Sequence, residues 1–187
     1  MTTHTSRHSG PTMALHWLMA ALVLAAFLTG LEGPDEVIFG ATGLFQRQWH
    51  ETLGVLVLGL MVFRLLNRLF GARAEAIDMP RWMHVASKAL QGLLYLLMIG
   101  VPLLGLLGSG AEGQAVDLLG GVRFMPPAVL SGDVLEVHKL MGDAIFWLAG
   151  VHAAAALFHH YILRDRTLVS MVPPALADKL PGASALR

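Results

Sequence analysis

The stretch LEVHKLMGDAIFWLAGVHAAAALFHHYILRDR, residues 135–166, puts four histidines into a segment otherwise apolar enough to cross a membrane. An imidazole in hydrocarbon is costly and calls for a partner or a task. His138 and His152 are fourteen residues apart. On one helix that is about 21 Å of rise and about 40° of rotation, so they share a face at two depths. His159 and His160 follow at the far end, just before Arg164 and Arg166.

The rest of the chain is suited to the same solvent. Of its 187 residues 55% are hydrophobic and 14% charged, against about 25% charged in an ordinary soluble domain. Three further apolar runs approach the roughly 20 residues that span a bilayer. The expected spans are 13–31, 50–70, 86–108 and 138–163, with Pro102 as a kink in the third. Arg7 before the first run resembles the start of a signal peptide. That run is long, however, contains His16, and meets EGPDE with no small-residue cleavage site, so it is expected to remain as a span. The fold class is therefore an all-α integral membrane protein, a four-transmembrane-helix bundle.

Arg7, Arg64, Arg68, Arg73, Arg81, Lys88, Arg164 and Arg166 gather on one side of these spans. The opposite connections are mostly neutral or acidic, with Arg47 and Arg123 as exceptions. This asymmetry predicts that both termini are cytoplasmic. Residues 1–173 read as the transmembrane domain and 174–187 as a flexible cytoplasmic tail. Formal net charge is zero, which gives no attraction to nucleic acid. There is no cysteine, which excludes disulfides, thiolate zinc sites, cysteine-bound iron–sulfur clusters and covalent c-type haem.

Depth sorts the histidines. Span two enters from outside through QWHETLG, which sets His50 level with His138; span one enters from inside through ALHWLMA, which sets His16 level with His152. Four residues after each comes a small residue: Gly54 and Gly142 after the first pair, Ala20 and Ala156 after the second. A macrocycle lying against a helix needs such a gap. His84, His159 and His160 are followed at that spacing by Lys88, Leu163 and Arg164. Zinc normally wants four ligands, which two imidazoles do not supply. Haem iron brings four nitrogens and needs only two axial imidazoles. The pairs His50/His138 and His16/His152 thus predict two haems at two depths of the bundle.

The stretches LHWLMA, WHETLGVLVLGLMVFRLLNR, LLYLLMIGVPLLGLL and VHKLMGDAIFWLAGVHAAAALFHHYILRDRTLVSMVP resemble the bacterial cytochrome b561 family, the small four-helix di-haem type. The likeness runs from His16 to Pro173 and extends to its superoxide oxidase members. It implies haem ligation by the histidines at 16, 50, 138 and 152, a multi-pass place in the bacterial inner membrane, and transfer of electrons from periplasmic superoxide to ubiquinone with no obligatory partner protein. One departure stands out: where family members carry histidines early in span three, this chain has Lys88 and Gln91, with His84 further upstream. The alternative is a cytochrome b membrane anchor that relays electrons between a partner dehydrogenase, hydrogenase or reductase and quinone.

Further roles follow from position. Arg64, deep in span two, is expected to pair with a haem propionate. His159 is the candidate proton donor to a quinone, with His160 second. Arg47, Arg123 and Lys139 lie where an anionic donor would arrive, or else neutralise propionates. Trp17, Trp49 and Trp82 are expected as interfacial anchors, and His4 and His8 as solvent-exposed.

Overall fold

The computed structural model describes residues 8–30, 43–70, 79–177 and 179–181. Leu31, His4, Arg7, Arg73 and the end of the tail lie outside them. Four long helices form: α1 Gly10–Gly30, α2 Gly43–Phe70, α3 Arg81–Ala111 and α4 Val134–Phe158. Each is long and apolar enough to cross a membrane. The backbone must satisfy its own hydrogen bonds in lipid, which is why such runs become helices. Pro102 sits inside α3 without ending it.

The bundle consists of two hairpins. α1 packs along α2, α3 along α4, and α2 joins the hairpins through α3, whereas α1 and α4 barely meet. The stacked rings of Phe27 and Phe146, 4.6 Å between centres, cross that weak side. The packed core lies at mid-depth. Met19, Val57 and Met61 form one cluster, and Leu97, Val101 and Ile145 the other, with Val23 and Met98 touching both. Ile145 is seven residues from both His138 and His152, so it lies midway between the two histidine levels. Leucines such as Leu18, Leu56, Leu96 and Leu140 point outward, as lipid-facing positions should.

Beyond α3 the connection folds back over the His50 end of the bundle. Val116–Asp117 (β1) pairs antiparallel with Arg123–Phe124 (β2). Polar groups of α2 hold this flap: Glu51 accepts from the amide of Asp117 at 2.7 Å, and Thr52 Oγ1 accepts from that of Leu119 at 2.9 Å. Arg47 donates to Glu51 at 2.8 Å and to the carbonyl of Ala115 at 3.0 Å. Val116 is buried beneath the flap. Glu51→Ala should therefore destabilise the flap by about 1.5–3 kcal/mol, the worth of charge-assisted hydrogen bonds. Protease sensitivity within residues 112–124 reads the effect, and an unchanged cleavage rate would show that Glu51 does not hold it.

At the other end, α4 runs on into a π-helical turn, His159–Leu163, closed by Arg164 in the left-handed conformation. A 3-10 turn, Val169–Met171, and a short helix, α5 Pro174–Ala177, follow. Val169, Val172 and Ala177 form a small apolar cluster with Leu168 and Leu180. Part of the stretch expected as a flexible tail is thus packed as far as Leu180, because its alternating apolar residues find one another. The segment is tied to α1: the indole of Trp17 donates to the carbonyl of Met171 at 2.9 Å, and the amide of His8 to that of Ser170 at 3.3 Å.

Candidate functional site

Three helices bring four imidazoles into one interior. His50 of α2 faces His138 of α4 with ring centres 5.8 Å apart. His16 of α1 faces His152 of α4 at 6.2 Å. Two imidazoles on opposite sides of one metal hold their ring centres about 6 Å apart, from a metal–nitrogen distance of roughly 2 Å plus about 1 Å to each ring centre. Both gaps match that spacing.

The two levels differ in how their rings are held. His50 Nδ1 is 2.8 Å from the carbonyl of Ala26, and His138 Nδ1 is 2.8 Å from that of Val101. A carbonyl can only accept, so each Nδ1 carries the proton and leaves Nε2 bare for a metal. Among the described residues His16 Nδ1 has only Arg64 Nη2, at 3.5 Å, which is too long to fix a tautomer. The ring of His152 makes no hydrogen bond among the described residues.

A cavity of about 2330 Å³ passes all four rings, more than twice the volume of a usual small-molecule pocket, about 300–1,000 Å³. Gly54 and Gly142 are on its wall, with Ala20 and Ala156. A Cβ added at Gly54 or Gly142 would meet nothing within 4 Å. Two buried polar groups on that wall lack partners among the described residues: both amide atoms of Gln46, and Nη1 of Arg64. Gln46 is one turn before His50, and Arg64 Nε donates to the Tyr95 hydroxyl at 2.9 Å beside His16. Unpaired buried groups of this kind mark an absent partner. At these depths the missing partner of a guanidinium is an anion, and haem carries carboxylates at its edge. Among the described residues no cluster of three or more His, Asp or Glu converges on a metal ion. Paired imidazoles, open wall and orphaned donors fit a bis-imidazole haem at each level.

Other expectations meet a different arrangement. His159 is not on the cavity wall. Its Nδ1 pairs with Asp165, and Thr167, which does line the cavity, is 3.5 Å from that nitrogen. Burial alone would raise the Asp165 carboxyl, but its hydrogen bonds from His159 and Thr167 outweigh this and hold it below the usual carboxylate range. His160 is buried and donates from Nε2 to the carbonyl of Pro181 at 3.0 Å, so it anchors the terminal segment. Trp17 also serves that segment.

His8, expected in solvent, is half-buried on the cavity wall. Burial, then the nearby charges of Arg64 and Lys88, push its imidazole below the usual range. His84, Lys88 and Gln91 line the same end. At the opposite end Arg47 holds the flap, Arg123 pairs with Asp117 at 3.4 Å, and Lys139 with Glu136 at 2.7 Å. None of these three cations is spare. Gln46 escaped the sequence reading, although its place four residues before His50 could have marked it.

Comparison with known proteins gives the family. The family model of prokaryotic cytochrome b561 matches residues 7–174. Cytochrome b561 homolog 1 of Escherichia coli is 28% identical over 173 residues, covering 90% of this chain and 98% of the relative. Cytochrome b562 of Cereibacter sphaeroides is 34% identical over 172 residues, covering 87% and 92%. A protein of Yersinia pestis named probable superoxide oxidase CybB is 28% identical over 177 residues, covering 89% and 96%. These matches imply b-type haem and membrane electron transfer, and the chain belongs to the prokaryotic cytochrome b561 family.

Proposed function

We propose that this protein is a two-haem electron carrier of the bacterial inner membrane that oxidises superoxide at the periplasmic face and reduces ubiquinone. The observation that carries this reading is the two levels of facing imidazoles, His50/His138 and His16/His152. Bound between them, b haem supplies a one-electron carrier at each depth. Held by an imidazole on each side, such a group would have no open site for dioxygen, which suits electron transfer rather than oxygen binding. The arginine-rich end is the cytoplasmic one, with both termini there, and the flap faces the periplasm.

Superoxide gives up one electron and leaves as dioxygen. A quinone takes two electrons and two protons, so the proton-handling groups belong at the end where it is reduced. Lys88, Gln91, His84 and His8 line that end and offer donors to a quinone oxygen. His159 reaches the cavity only through Thr167, and its role in this reading is a relay at one remove.

The likeness to a probable superoxide oxidase supports superoxide as donor. The surface charge does not add to it: Glu32, Asp35, Glu36, Glu112, Asp117, Asp133 and Glu136 outnumber the cations of the periplasmic connections. That acidic end favours the second reading in one respect, since a donor protein with a basic face would be attracted.

Stopped-flow mixing of the oxidised protein with superoxide tests the proposal. Reduced b-haem bands should appear rapidly and be discharged by ubiquinone. The rate should rise with ionic strength, because salt shortens the Debye length from about 30 Å at 0.01 M to about 8 Å at 0.15 M and hides the acidic field from an anion. A spectrum indifferent to superoxide would move the donor to a partner protein.

A further inference from the structure

The rings of His50 and His138 are each seated in the same way, on different hairpins. His50 bonds to the carbonyl of Ala26, and four residues further along α1 is Gly30. His138 bonds to the carbonyl of Val101, and four residues further along α3 is Gly105. The residue at i+4 is the one whose amide already bonds the carbonyl at i. Its side chain therefore stands beside any other donor approaching that oxygen. A Cβ built at Gly30 would lie 2.9 Å from His50 Cε1 and 3.0 Å from Nδ1. At Gly105 it would lie 2.9 Å and 3.1 Å from the same atoms of His138. Each ring fills the space a side chain would take.

We propose that Gly30 and Gly105 are positioning residues for the periplasmic-side iron: each opens a socket in which an axial imidazole locks its Nδ1–H onto a helix carbonyl and turns Nε2 inward. This rests on reading His50 and His138 as axial ligands. A carbonyl acceptor on Nδ1 fixes ring orientation and makes the ligand more basic. More basic ligands favour ferric iron and lower its potential. Among the described residues the other pair has no such carbonyl, and it has the Arg64 guanidinium beside it; a nearby positive charge favours ferrous iron. The two glycines thereby set the lower potential at the periplasmic level and give the electron a downhill direction toward the cytoplasmic one.

Potentiometric titration with electron paramagnetic resonance on the purified di-haem protein tests this. Gly30→Ala and Gly105→Ala should each move the lower-potential component to a more positive midpoint and alter its ferric signal. Haem at that level should be held about 10–100-fold less tightly, as for loss of a partner behind a metal ligand. The higher-potential component should not move. Gly92→Ala, on α3 where an added Cβ meets nothing within 4 Å, should match the unsubstituted protein. Both alanine variants loading two haems with unchanged midpoints and signals would overturn the proposal.

Should the variants not accumulate, nuclear magnetic resonance of the unsubstituted ferric protein decides. Two slowly exchanging Nδ1 protons on the ligands of a single haem are expected, and their absence overturns the sockets. If His138→Leu leaves both haems in place, it is the ligand assignment that fails.

Discussion

Replacing His138 with leucine should yield a protein that folds, inserts and holds one haem instead of two. The change removes the imidazole facing His50 across 5.8 Å and substitutes an apolar side chain of similar size in an apolar helix. The backbone of α4 has no reason to change, and His16 and His152 lie about four turns away. Half of the b-haem absorbance should go, and transfer across the membrane should stop, because one level is then empty. His152→Leu should remove the other half, and the double variant should be colourless. A dithionite-minus-oxidised spectrum per mole of protein is sufficient. Full haem content in His138→Leu would mean that His50 pairs elsewhere.

Arg64→Met should have the second largest effect. A guanidinium this far into a membrane bundle is costly unless paired, yet among the described residues only its Nε has a good partner, the Tyr95 hydroxyl, while Nη1 is buried and unpaired. Arg68 lies over the face of Tyr95 at 5.1 Å, so the tyrosine is held on two sides. If a propionate completes this set, removing Arg64 strands a buried carboxylate, at a cost of about 3–5 kcal/mol. That corresponds to cytoplasmic-side haem bound more than about 100-fold less tightly. Tyr95→Phe removes only one hydrogen bond from a charged donor and should cost about 1.5–3 kcal/mol. Haem transfer to an excess of an apo-haem protein measures both. Unchanged transfer from Arg64→Met would exclude the propionate pairing.

The pairing of histidines was legible because it depends on two regular quantities, the rise of a helix and the direction in which each span enters. Fourteen residues on α4 fix two levels, and single histidines near the entrances of α1 and α2 have to fall at one or the other. What stayed hidden depends on which helix leans on which. Gly54 and Gly142, on the same helices as His50 and His138, are on the cavity wall. The glycines that touch the rings are on the neighbouring helices, and no spacing along the chain connects Gly30 to His50 or Gly105 to His138. Arg47 looked available for an anion because sequence cannot reveal that the flap folds back onto Glu51. His8 and His159 were hidden for a similar reason: the π turn aims His159 at Asp165, while the amide of His8, bonded to Ser170, draws that histidine onto the wall.

The weak side between α1 and α4 bears on how such a protein is assembled. Among the described residues these helices touch little, and the contacts across that side include the Phe27–Phe146 stack and the terminal segment bonded to Trp17 and His8. Within each hairpin, by contrast, the two helices are packed on each other. A bundle fastened in this manner has a seam and a latch. Loss of the latch contacts would loosen α1 from α4 without touching the contacts within either hairpin.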